Sequence, residues 1–313
     1  MIAVTGATGF VGFQLVRFLS SVGQPPVGLV RGTPATGQRQ VSDWSELGLR
    51  AALSGVTALV HSASVVHRPG ATPDEYDRFN REGTRALLAA ARAAGVRHFV
   101  FLSSIKVYGD TPIGTVDEST PVDPQDPYAA SKVAAERLVL GEGRRMVTSV
   151  LRLSPVFGRG DKGNVRRVIT AIARRRFLLP GDGSTRKSLV HVSTVAEVVR
   201  AVLAQARPGV FVVADSEAPS MRQLANAAAA ALGRTPPFCV PAALLTAAAL
   251  PIELGARMLR RDPPVSRALV WKSLQTTVCS PRKAEEELRL SCHVDLREAV
   301  RDEASWLREE SLI

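Results

Sequence analysis

Short apolar runs alternate with longer amphipathic stretches through the first half of the chain. Ile2–Thr5 reads as a strand, and behind it Phe13, Val16, Leu19 and Val22 recur at helical spacing. Residues 26–30 form a second apolar run. Ala58–His61 is apolar throughout, the mark of a parallel strand covered on both faces. An Ala- and Leu-rich stretch over 74–94 predicts a long helix. Residues 96–102 predict the next buried strand, which delivers Ser103 and Ser104 at its carboxyl end. A helix after Pro127 and a strand over 148–153 complete the series. Such alternation predicts an α/β fold with a doubly wound parallel sheet. The second half is less regular. It reads as a basic helix over 163–177, strands over 188–192 and 210–213 returning to the main sheet, and helices over 218–232 and 283–288. The expected organisation is a sheet domain over 1–160 and a smaller, mainly helical C-terminal lobe over 161–313, with segments near 186–213 going back to the sheet.

Charge adds a constraint. The 313 residues carry a net charge of +11, with arginines spread over Arg144, Arg145, Arg166, Arg167, Arg174, Arg175, Arg176, Arg260 and Arg261. No zinc-finger spacing or aromatic-rich RNA-binding signature accompanies them, so no nucleic-acid partner is expected. An anionic small substrate or a cofactor phosphate accounts for the surplus as well. Cys239, Cys279 and Cys292 are odd in number and lack metal-ligand spacing, which predicts free thiols in a reducing compartment and no metal site. Met1 leads straight into the first strand with no basic leader, so a cytoplasmic protein is expected. The apolar stretch 240–254 contains Pro241 and Pro251 and is too short to span a bilayer. A surface helix is the main reading. Weak docking on a membrane face, with Arg257, Arg260 and Arg261 towards anionic lipid, is the lesser one.

Two patterns carry chemistry. G-A-T-G-F-V-G places Gly6, Gly9 and Gly12 three apart between the first strand and its helix. Glycines there let the backbone turn tightly against a pyrophosphate, whose charge meets the helix N-terminus. The second strand ends at Arg31, where a ribose-binding acid would be expected. A guanidinium at that place pairs with a 2′-phosphate, which favours NADP over NAD. Asp43, after a further short strand, is positioned for the adenine amino group. The second pattern is Tyr128 and Lys132, four apart and so on one helical face. An ammonium beside a phenol stabilises the phenolate and makes the tyrosine a workable acid or base. Ser104 would supply a third contact to the same reacting oxygen, and His61 reads as structural.

G-A-T-G-F-V-G, H-S-A-S, S-S-I-K-V-Y-G, Y-A-A-S-K and R-L-S-P-V-F-G together resemble the ordered motifs of extended short-chain dehydrogenases/reductases, specifically their nucleotide-sugar epimerase/dehydratase group. S-S-I-K-V and S-L-V-H-V look closest to UDP-4-keto-6-deoxy-hexosamine reductases and UDP-hexose 4-epimerases. The resemblance implies a Rossmann domain for the first part. It implies that Tyr128 transfers the proton, that Lys132 bonds the nicotinamide ribose and that Ser104 holds the sugar oxygen. Gly6, Gly9, Phe10, Val11 and Gly12 would hold the cofactor pyrophosphate, with Ala63 and Pro155 also on the cofactor. Asn164 and Lys187 would meet the substrate diphosphate, and Lys106 would lie on the substrate. Lys106 departs from many members, and Ile105–Lys106 replaces the Asp–Glu pair of 4,6-dehydratases, which argues against that reaction. The expected activity is hydride transfer at C4 of a UDP-sugar by a 4-ketoreductase using NADP. The alternatives are a 4-epimerase with tightly held NAD, an NADPH-dependent reductase of an apolar ketone, and a cofactor-binding protein without chemistry. Assembly as a homodimer is compatible with all of them.

Overall fold

The computed structural model describes every residue except 42, 67–69, 111, 113 and 259–265, and the side chains of Leu254 and Arg257. Arg260 and Arg261 therefore lie outside the described residues. The chain opens with β1 (Ile2–Thr5), α1 (Phe10–Ser21), β2 (Val27–Val30), β3 (Gln38–Gln40), α2 (Glu46–Ala52) and β4 (Ala58–His61). The long helix expected over 74–94 runs as α3 (Pro73–Tyr76), a π-helical turn (Asp77–Glu82) and α4 (Gly83–Ala93). β5 (His98–Ser104), a 3-10 turn (Ile105–Tyr108), β6 (Thr115–Val116), α5 (Pro127–Gly141), β7 (Val147–Leu153) and β8 (Val156–Phe157) follow.

The sheet has seven strands in the order β11-β7-β5-β4-β1-β2-β3, where β11 is Gly209–Val213, and every neighbouring pair is parallel. Alternation along β5 divides the core. Phe99 and Phe101 point into the layer built by α2, α4 and α5, against Leu49, Leu87 and Val139. Val100 and Leu102 point the other way, towards Leu15 of α1 and Val198 of α7 (Val192–Gln205). A strand buried on both faces needs apolar residues at every position, which is why these runs do not alternate.

The lobe is built from α6 (Asn164–Ala173), α8 (Met221–Leu232) and α12 (Leu296–Glu309), packed around Ile169, Leu224, Val300 and Leu307. A parallel pair, β9 (Leu179–Pro180) with β12 (Cys239–Val240), leads into α9 (Ala242–Met258), and α10 (Arg267–Ser273) packs back on α9. β13 (Val278–Cys279) pairs with β6, and α11 (Arg282–Leu288) precedes the last helix.

One of the two expected returning strands joins the sheet and the other does not. Residues 209–213 supply the edge strand β11. The segment 188–192 yields only β10 (Val190–His191), which pairs with β8 in a separate two-stranded sheet. The edge beside β7 is already taken by β11, and the Val190 amide donates to the Pro155 carbonyl at 3.1 Å. No described helix is long and apolar enough to cross a membrane.

Candidate active site at the carboxyl edge of the sheet

The glycine loop closes on itself. Gly6 sits at φ +68°, and a Cβ there would come within 2.8 Å of the Ala63 amide nitrogen. A Cβ on Gly12 would overlap the Gly6 carbonyl, so α1 reaches the strand only because residue 12 has no side chain. Gly9 caps α1 without any side-chain hydrogen bond. The first-turn amides of Phe10, Val11 and Gly12 thus have no intrahelical acceptor and face outward with the positive end of the helix. This cradle fits a dinucleotide pyrophosphate. Arg31 lies just beyond β2, exposed, as expected from the sequence. Asp43 spends one carboxylate oxygen on the Ser45 amide at 2.8 Å, beside the start of α2.

Ala63 is held by a buried chain of hydrogen bonds. Its amide donates to the Thr5 hydroxyl at 3.1 Å, and that oxygen lies 2.8 Å from Nδ1 of His61. Nε2 of His61 lies 3.1 Å from the Thr84 hydroxyl, which itself donates to the Asn80 carbonyl. This pattern assigns the proton to Nε2. Burial drives the His61 pKa down to about 3, so the ring is neutral and structural. Asn80, in the π-helical turn, accepts from the Val65 amide at 2.8 Å and donates to the Ser131 hydroxyl at 3.0 Å. Ser131 in turn donates to the Tyr128 carbonyl at 2.7 Å. Asn80 thereby ties the H-S-A-S segment to the helix carrying Tyr128. Sequence reading missed it, because a lone Asn in a helical stretch has no spacing signal.

α5 begins on Asp126, whose side chain accepts from the Ala129 amide, with Pro127 in the first turn. Tyr128, Lys132 and Glu136 then follow at four-residue intervals and face the end of β5. Ser104, the last residue of β5, hydrogen-bonds Tyr128. The Lys132 ammonium is buried, donates to the Leu102 carbonyl at 2.9 Å and lies 6.0 Å from the Tyr128 ring centroid. Burial pushes the Tyr128 phenol up to about 12, against the lowering effect of Ser104, and pulls Lys132 down to about 8. The Tyr–Lys spacing implied a lowered phenol. In the protein itself desolvation sets the direction, and the ammonium spends its hydrogen bond on the Leu102 carbonyl. Glu136, a second residue that sequence reading missed, accepts from Ser103 and pairs with Arg152 at 2.7 Å.

The residues expected to meet substrate include several cations. Lys106 pairs with Asp110 and, at 3.4 Å, with Asp126, while Lys272 of α10 reaches Asp110 at 2.8 Å. Lys187, half-buried, donates to the Lys272 carbonyl at 3.2 Å and feels the charges of Asp110 and Lys272. Three ammonium groups therefore gather around the Asp110 carboxylate. Arg186 turns away, donates to the Ala218 carbonyl and lines a separate cavity of about 800 Å³. Asn164 is exposed at the start of α6, and Pro155 is exposed just after β7. Cys239 is exposed, Cys279 and Cys292 are buried, and all three are free.

Known proteins with the same features place this chain. Over 180 residues it is 32% identical to N-acetyl-alpha-D-glucosaminyl-diphospho-ditrans,octacis-undecaprenol 4-epimerase of Escherichia coli O157:H7, covering 55% of this chain and 54% of that one. It is 33% identical over 207 residues to 4-hydroxy-2-methyl-3-oxo-4-farnesyl-3,4-dihydroquinoline-1-oxide ketoreductase of Stigmatella aurantiaca, covering 62% and 61%. The matches thus span little more than half of these two relatives. The structure of MoeE5 in complex with UDP-glucose and NAD superimposes with a TM-score of 0.76 at 27% identity, over 99% of each chain. Residues 2–214 match the family described as the NAD dependent epimerase/dehydratase family, and the chain belongs to that family, as its motifs implied.

Proposed function

We propose that this protein is an NAD(P)-dependent 4-ketoreductase of a nucleoside-diphosphate sugar, UDP-linked in the first instance. The observation that carries the sugar-diphosphate reading is the set of three lysines, Lys106, Lys187 and Lys272, set against two carboxylates, Asp110 and Asp126. That leaves a surplus of positive charge at the substrate end, which suits a diphosphate far better than an apolar ketone.

The site residues divide the work. Gly6, Gly9, Phe10, Val11 and Gly12 cradle the cofactor pyrophosphate, and Ala63 and Pro155 border its path. A bound nicotinamide supplies hydride to the carbonyl carbon. Tyr128, with its pKa near 12, stays protonated at neutral pH, the form that a reduction needs in its acid. Ser104 holds the reacting oxygen, and Tyr128 gives its proton to that oxygen as negative charge develops there. Lys132 keeps a positive charge beneath the pair and stabilises the same charge. Asn164 and Lys187 hold the diphosphate, and Lys106 also contacts the substrate.

A 4-epimerase would use the same three residues in both directions, and the Escherichia coli relative named above is a 4-epimerase. The two readings differ in how the cofactor is held. An ultraviolet spectrum of the purified protein tests this: a stoichiometric nicotinamide that survives dialysis favours the epimerase. An empty site that consumes NADPH with a UDP-4-keto sugar favours the reductase. Calorimetry with UDP alone, cofactor present, tests the handle. Failure to bind at millimolar concentration would overturn the sugar-diphosphate reading in favour of an apolar ketone, a class nearer to the Stigmatella aurantiaca ketoreductase substrate.

A further inference from the structure

α9 is a helix whose apolar residues have nowhere to go. Of its 17 residues only Glu253 and Arg257 are charged, and Ala249 alone is buried among those with described side chains. A helix apolar on all sides is normally enclosed by protein or lipid. Here Leu244 is 61% and Met258 86% exposed, and the neighbouring α10 adds Leu269 and Trp271, each more than half exposed. Glu253 bonds Arg267 at 2.9 Å and locks the two helices into a hairpin. At the foot of the hairpin Phe238, 81% exposed, leads into β12, and Leu178 leads into β9, so the apolar surface continues past the helices.

A basic rim borders it. Arg174, Arg175 and Arg176 are exposed just before Phe177 and Leu178, and none makes a side-chain hydrogen bond or ion pair among the described residues. Such a surface complements a layer that is apolar inside and anionic outside. A second copy of the chain would present the same positive rim and repel it.

We propose that the α9–α10 hairpin is a peripheral membrane anchor, seated on the anionic face of a bilayer by Phe238, Leu244, Met258 and Trp271 and steered there by Arg174 to Arg176. The inner side of the same hairpin carries Lys272, which reaches Asp110 beside the candidate site. The anchor stands independently of the sugar reading, because it concerns the outside of the hairpin.

The test is flotation of the full chain with vesicles, without substrate or cofactor. The protein should float with phosphatidylcholine–phosphatidylglycerol vesicles, fail to float with phosphatidylcholine alone, and be released by high salt. Arg174, Arg175 and Arg176 replaced together by Gln should weaken binding about a hundredfold at low salt, at roughly fivefold per charge. Leu244→Asp should weaken it about tenfold or more, as one apolar side chain is withdrawn from lipid. Trp271 fluorescence should shift to the blue on adding anionic vesicles, and Trp271→Phe should abolish most of that shift while still floating. All these positions are exposed, and an unchanged melting temperature certifies that each variant is folded. The proposal is overturned by wild-type protein that stays with the soluble fraction. It is equally overturned by flotation that neither the triple arginine variant nor Leu244→Asp alters, or by sedimentation in which Leu244→Asp converts a dimer to a monomer.

Discussion

Arg152 and Glu136 form a buried ion pair 2.7 Å long that joins β7 to the helix carrying Tyr128 and Lys132. Arg152 also donates to the Tyr108 hydroxyl at 2.7 Å, and Glu136 accepts from Ser103, next to Ser104. The pair therefore fixes both sides of the candidate site to one strand end.

Breaking it should cost more than its own attraction is worth, because the survivor is left as an unpaired buried charge. Glu136→Ala is expected to destabilise by about 3–5 kcal/mol, and the double change Glu136→Leu with Arg152→Met by much less. For a chain of this size the single variant should lower Tm by roughly five to eight degrees. A thermal melt of the two variants side by side decides it, and a single variant as stable as wild type would remove the pair from its clamping role.

Tyr128→Phe should reduce turnover by about 10²–10⁴-fold, the usual worth of general acid–base help, while cofactor affinity stays nearly constant. Lys132 loses its proton near 8, so turnover in the reductive direction should fall as pH rises through that value. Steady-state rates across the pH range, with cofactor titrations on both proteins, supply the readout. Wild-type turnover in Tyr128→Phe would take this residue out of the chemistry.

Much of this was legible in the sequence because its signals are local. A glycine triplet between strand and helix depends on a few consecutive residues, and Gly6 and Gly12 meet the steric demands that the motif implied. The Tyr128–Lys132 face follows from helical periodicity alone. What sequence could not give depends on distant partners. Asn80 matters because Ser131 and Val65 converge on it from elsewhere in the chain. Glu136 was one further helical turn along the same face, a periodicity available to be read. The spacing to Lys132 implies a lowered phenol, whereas desolvation, a property of the packed interior, raises it. The 188–192 segment failed to join the sheet because β11 already occupies that edge, a competition invisible to any local pattern.

Arg31 lies exposed one residue beyond β2, where it is free to meet a 2′-phosphate. Charge-assisted hydrogen bonds of about 1.5–3 kcal/mol imply that Arg31→Ala weakens NADPH by roughly ten- to a hundredfold and leaves NADH little changed. Fluorescence titration with both cofactors tests the difference. Equal losses would assign Arg31 no part in reading the phosphate and would leave NAD as the natural cofactor.

Glu303 makes stability depend on pH. It lies fully buried on α12, accepts from the Gly158 amide at 3.2 Å through one oxygen, and has no partner for the other among the described residues. Burial, and next the nearby charge of Asp161, push its pKa up to about 8; Arg166 opposes the shift and Asp302 adds to it. The raised value fixes the sign. Between its ordinary value near 4.5 and about 8, the folded protein holds a proton that the unfolded chain has released. This contribution to stability is complete at the acid end of the window and is lost as pH rises through about 8. Asp215, raised to about 6 by burial, adds a smaller loss in the same direction at lower pH. Glu303→Gln cannot ionise and fits the same space, so it should remove most of the decline between about pH 6 and pH 8, on the order of 1–3 kcal/mol. Urea denaturation of both proteins at the two pH values measures the change. If Glu303→Gln keeps the full wild-type decline, the buried proton is not on Glu303, and Asp161, whose own carboxyl is raised by burial, is the next group to replace.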